Sequence, residues 1–141
     1  MRVVISSYST VCIIEDNMVS QFATRYCLEQ YAEGELSILV YDSAEDALEA
    51  FTEQMHQEKP LPDLIFLDLG LDKMDGWEFM KALEILVEKS GHPDIYILSS
   101  FSNSKDREEA RTHPMVLGYI DKPLTKIQLE SIFQSKSLRK M

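Results

Sequence analysis

Five short apolar runs, each followed by a stretch of helical periodicity, succeed one another along this chain. That alternation restricts the fold more than any other feature. The first run, Val11-Cys12-Ile13-Ile14, stops at Glu15 and Asp16. Residues 17–32 then carry Met18, Phe22 and Tyr26 at i, i+4 and i+8, the spacing of one helical face, and Gly34 closes that helix. Residues 36–41 form the second run, after which Ser43 is placed to cap a helix with Asp46 at its third position. Ala47, Leu48, Phe51 and Met55 are its stripe. After Pro60-Leu61-Pro62, Leu64-Ile65-Phe66-Leu67 is apolar without alternation, as in a strand buried on both faces, and ends on Asp68. Phe79, Met80, Leu83, Leu86 and Val87 mark a third helix, stopped by Gly91-His92-Pro93. Residues 95–98 run into Ser99 and Ser100, and Asn103 or Ser104 caps a polar helix over 103–112. Residues 117–120 are the fifth run, and Pro123 precedes a last helix over 124–135 with Ile127, Leu129, Ile132 and Phe133. Five βα units in series predict an α/β fold, a doubly wound five-stranded parallel sheet with five helices and right-handed crossovers. Residues 1–9 fit no unit and are expected as an N-terminal extension, residues 10–135 as one domain and 136–141 as a frayed tail.

A chain of 141 residues, 45% of them hydrophobic, is long enough to bury one full core. Lys plus Arg total 14 against 24 Asp plus Glu, a net charge of −10, which argues against nucleic acid or an anionic membrane as the main partner. No apolar run approaches the roughly 20 residues of a bilayer span. The start, Met1-Arg2-Val3-Val4-Ile5, is too short for a signal-peptide core. Cys12 and Cys27 cannot build a disulfide framework or a four-ligand metal site, and are expected as reduced thiols in a cytoplasmic protein.

Open parallel sheets bind ligands beyond the carboxyl ends of their strands. Glu15 and Asp16, Asp68, Ser99 and Ser100, and Lys122 all fall at such ends. Carboxylates brought together on one rim repel, and a hard divalent cation relieves the repulsion. Oxygen ligands without His or Cys select Mg²⁺ over zinc. A carboxylate beside such a metal can attack phosphorus and form an aspartyl-phosphate. A lysine suits a phosphate oxygen, and a serine hydroxyl can donate to another.

On these residues the chain resembles a response-regulator receiver domain of two-component signalling, the CheY-like family. Five motifs carry the resemblance: Ile13-Ile14-Glu15-Asp16-Asn17, Ile65-Phe66-Leu67-Asp68-Leu69, Met74-Asp75-Gly76, Ile97-Leu98-Ser99-Ser100 and Gly118-Tyr119-Ile120-Asp121-Lys122-Pro123. The resemblance implies the flavodoxin-like strand order 2-1-3-4-5. It implies that Asp68 is the phosphoacceptor, that Asp16 binds Mg²⁺ directly and Glu15 commonly through water, and that the backbone carbonyl of Gly70 completes the site. Lys122 would meet the phosphoryl group, with the Lys122–Pro123 peptide cis. Ser99 would be the switch hydroxyl, beside the small Ser100, and Tyr119 the switch aromatic. The implied partner is a histidine kinase or phosphotransfer protein, with a separate output partner and no enzymatic purpose beyond self-catalysed gain and loss of the phosphoryl group. With no room after the fifth unit, a stand-alone receiver is expected, as a monomer or a homodimer through 103–135.

Two departures stand out. Asp72 follows Leu71 where the family usually has Pro, adding an acid near the site, and Phe101 occupies a variable position where it could shield the phosphoryl group from water. A degenerate receiver that binds a partner without phosphorylation stays open. An aspartate-nucleophile phosphohydrolase is weaker, because that class needs an acid two residues after the nucleophile, where Gly70 stands. The run Asp72-Lys73-Met74-Asp75-Gly76 fails as a calcium loop, since Leu71 would be its first ligand. His56, His92 and His113 are expected at the surface, and Trp77 as a packing residue.

Overall fold

Cys12, Ile14, Ile65, Leu67, Ile95 and Ile97 are completely buried, and so, to within 1%, are Val11, Ile13, Leu64 and Phe66, which alternate with them. Successive strand side chains point to opposite faces, so both faces of these strands are covered. The computed structural model describes residues 8–32, 35–88, 91–100 and 103–140; Gly34 and Phe101 lie outside them. In chain order the elements are β1 (Thr10–Ile14), α1 (Met18–Ala32), β2 (Ser37–Tyr41), α2 (Ala44–His56), β3 (Leu64–Leu67), α3 (Gly76–Leu86), β4 (Asp94–Ser99), α4 (Ser104–Thr112), β5 (Val116–Asp121) and α5 (Lys126–Lys140). The strands pair in parallel in the order β2-β1-β3-β4-β5. This is the expected doubly wound α/β sheet.

Phe51 of α2 and Phe79, Met80 and Leu83 of α3 pack on the face of Cys12, Ile14, Ile65 and Leu67. Leu28 of α1 and Leu129 and Ile132 of α5 pack on the face of Val11, Ile13, Leu64 and Phe66. Each side chain of this size contributes roughly 1.5–3 kcal/mol when fully buried. Ser43 caps α2 by accepting from the Asp46 N–H, and Asp75 with Glu78 forms a reciprocal capping box at α3. Asn103, not Ser104, caps α4. The β4–β5 register shifts between Ile95 and Tyr96. There the Tyr96 ring covers Gly118 so closely that a Cβ would stand 2.9 Å from Cε1.

Three expectations are corrected. Met18, Phe22 and Tyr26 do not face the core: they are 79%, 72% and 56% exposed, while Thr24 and Leu28 are the buried residues of α1. The C-terminal residues are not a frayed tail from 136, because α5 continues to Lys140. Lys136 Nζ lies 3.8 Å from Asp94 and 5.0 Å from the centre of the Tyr8 ring, which anchors the last turns. Tyr8 is itself buried, edge-on to Phe133, and donates its hydroxyl to Asp94 at 2.6 Å. His113 is not a plain surface residue. Its side chain is 13% exposed, pairs with Glu84, accepts the Met115 N–H at 3.1 Å and stacks on Trp77.

Candidate functional site

β1 and β3 lie side by side, with Ile14 opposite Leu67, so the residues after them emerge together. The Asp68 N–H donates to the Ile14 carbonyl at 3.1 Å, which fixes that pairing beyond the strand ends. α1 leaves toward one face of the sheet and α3 toward the other, and a cleft of about 280 Å³ opens beyond the carboxyl ends of β1, β3, β4 and β5. Glu15, Asp16, Asn17, Ser20, Asp68, Gly70, Ser99, Ser100, Asp106 and Lys122 are among its lining residues. A larger depression, of about 500 Å³, lies at the opposite end of the strands. Two of its carboxylates are already engaged: Asp63 accepts from the Ser9 and Thr10 N–H groups, and Asp94 from Tyr8.

Within the cleft, Glu15, Asp16 and Asp68 each offer a carboxylate oxygen, and these lie within 4.8 Å of one another. Glu15 and Asp68 are buried and Asp16 faces solvent. Lys122 Nζ pairs with Glu15 and stands 3.7 Å from Asp68 Oδ1. Its backbone N–H donates to the Ser99 carbonyl at 2.9 Å, so β4 and β5 aim the lysine. The Lys122–Pro123 peptide is cis. Burial pushes the Glu15 carboxyl above its ordinary pKa; the Lys122 hydrogen bond opposes this, and the Asp68 charge adds to it. The Asp72 N–H donates to Asp16 Oδ2 at 3.2 Å, so Asp72 tethers Asp16 through its backbone while its own residue is exposed.

The donor set fits a hard divalent cation: oxygen only, three carboxylates converging, one of them open to solvent. Ser99 is buried in the same cleft, and Gly70 lies close enough that a Cβ there would stand 4.0 Å from Asp68 Oδ2. Thus Glu15, Asp16, Asp68, Gly70, Ser99, Ser100 and Lys122 come together. Tyr119 does not line the cleft; it is half-buried on β5, with Arg107 Cζ 4.7 Å from its ring centre. Sequence reasoning missed Asp106, whose Oδ1 accepts from Trp77 Nε1 at 3.0 Å, and Ser20, whose Oγ lies 3.5 Å from Lys122 Nζ. Neither carries a local signal, because each meets the cleft only through the fold.

The family model for the response regulator receiver domain matches residues 11–134. This chain belongs to that family. The receiver domain also matches solved structures of similar architecture. A two-component response regulator from Cytophaga hutchinsonii is 22% identical with a TM-score of 0.80, over 95% of this chain and 99% of that one. A two-component response regulator from Legionella pneumophila is 26% identical with a TM-score of 0.73, over 90% and 98%. The phosphorylated cyanobacterial phytochrome response regulator RcpA is 22% identical with a TM-score of 0.68, over 92% and 91%. No curated protein matches the chain. Receiver domains act in signalling through histidine kinases or phosphotransfer proteins, and typically bind Mg²⁺ at an acidic pocket of this kind.

Proposed function

We propose that this receiver domain, residues 10–135 in outline, accepts a phosphoryl group on Asp68 from a phosphohistidine of a histidine kinase or phosphotransfer protein. One observation carries the reading: a buried carboxylate, Asp68, sits between two further carboxylates and an ammonium 3.7 Å away, in a cleft that also holds the Ser99 hydroxyl. An Asp68 oxygen attacks phosphorus, the N–P bond breaks, and its electron pair returns to the imidazole of the donor. Glu15, Asp16, Asp68 and the Gly70 carbonyl would hold Mg²⁺. When bound, the ion neutralises the carboxylates and the incoming phosphoryl oxygens. Lys122 is within reach of a phosphoryl oxygen, since its ammonium already lies beside Asp68. Ser99 donates to another, and that movement turns Tyr119 and shifts the population between two conformers. The product is an altered surface for an output partner.

The docking side for the donor is the exposed strip of α1. Met18, Val19, Phe22 and Tyr26 begin two residues after Asp16 and leave an apolar face beside the cleft, with Phe22 and Tyr26 stacked at 6.2 Å. The test is phosphoryl transfer from an autophosphorylated histidine kinase or a loaded phosphotransfer protein. Label is expected to move to the native chain and not to Asp68→Asn. Equal transfer to both would overturn the assignment of Asp68.

A further inference from the structure

Tyr119 and Asp121 stand two residues apart on β5, so their side chains leave the same face of the strand. α4 lies against that strand. Arg107, in its first turn, donates from Nη2 to both oxygens of Asp121 at 2.9 and 2.8 Å. The same guanidinium covers the Tyr119 ring, with Cζ 4.7 Å from its centre. A flat, delocalised cation suits both contacts at once. Of the nine residues of α4 only Ala110 is buried, so polar contacts position this helix more than apolar burial does. The Trp77–Asp106 hydrogen bond is another such contact.

We propose that Arg107 is a positioning residue for Tyr119. Clamped to Asp121, it holds the ring and α4 in the unphosphorylated conformer, and phosphorylation of Asp68 must overcome that hold. The inference rests on the reading of Asp68 as phosphoacceptor and Tyr119 as switch. A contact present in only one conformer weakens the apparent affinity of any ligand that prefers the other. Releasing the clamp therefore tightens binding of a phosphoryl mimic.

The experiment titrates beryllofluoride with saturating Mg²⁺ into the full chain, followed by fluorescence of the single tryptophan, Trp77, and by NMR of the Tyr119 ring. Arg107→Ala and Asp121→Asn are each expected to bind the mimic about three- to tenfold more tightly, the range set by an exposed ion pair plus a cation–π contact. The double variant is expected to bind no more tightly than either single one, because the two residues act as one clamp. Arg111→Ala, which removes only a pair with Glu108 on the same helix, is expected to match the native chain. The Tyr119 ring signals of the free Arg107→Ala protein are expected to move toward those of the native protein with beryllofluoride bound. A merely structural role would leave affinity unchanged or weaken it. Native binding with no tightening in Arg107→Ala overturns this inference alone. A native chain that takes up no beryllofluoride overturns the Asp68 reading and this inference with it.

Discussion

Glu15 is 3% exposed and has Lys122 on one side and Asp68 on the other. Its burial and the Asp68 charge favour the neutral acid; the Lys122 ammonium favours the anion. Removing the ammonium leaves converging carboxylates without a cation. Lys122→Ala is therefore expected to lower the unfolding free energy at pH 7 by about 1–3 kcal/mol, an order-of-magnitude figure for a broken, largely buried pair. In the folded chain the Lys122 ammonium makes Glu15 hold its proton less tightly than it would without it, so the loss is full where Glu15 is ionised and shrinks as the pH falls through its raised pKa. Urea titrations at pH 5 and pH 7.5 check this; a loss independent of pH contradicts it. At this scale the acids, Ser99 and Lys122 were legible because each directly follows, or lies just beyond, a recognisable apolar run. Asp106 and Arg107 were not legible. Their partners, Trp77 and Asp121, stand 29 and 14 residues away, and no local pattern couples them.

α1 carries two stripes with the same helical period. Met18, Phe22 and Tyr26 form one, and Thr24, Leu28 and Tyr31 the other. Periodicity finds a helix there and cannot choose its inner face when the larger side chains lie on the outer one. The structure buries Leu28 completely and leaves Phe22 72% exposed. Leu28→Ala is thus expected to cost about 2–5 kcal/mol, and Phe22→Ala less than about 0.5 kcal/mol, by urea denaturation. Phe22→Ala is expected to slow phosphoryl transfer from a protein donor several-fold and to leave labelling by acetyl phosphate unchanged. A large stability loss in Phe22→Ala would contradict the exposure, and unchanged transfer the docking strip. The end of α5 escaped for a different reason. Its last turns are held by Asp94 and Tyr8, contacts that bring the two ends of the domain together.

Across the whole molecule, the fold class was legible because strand–helix alternation has few solutions once right-handed crossovers are required. The strand order was not readable from periodicity. It came through the motifs, and the β2-β1-β3-β4-β5 sheet agrees with it. That order makes β1 and β3 parallel neighbours, which is why the carboxylates after them share one cleft. Among the described residues no helix is long and apolar enough to cross a membrane. Function at that cleft turns on one covalent event, phosphorylation of Asp68, and intact-mass spectrometry tests it most directly. The native chain and Asp68→Asn are each treated with acetyl phosphate, with Mg²⁺ and with a chelator instead. One labile phosphoryl adduct is expected on the native chain, present only with Mg²⁺, and none on Asp68→Asn. No adduct on the native chain in Mg²⁺, or an equal adduct on Asp68→Asn, would contradict it.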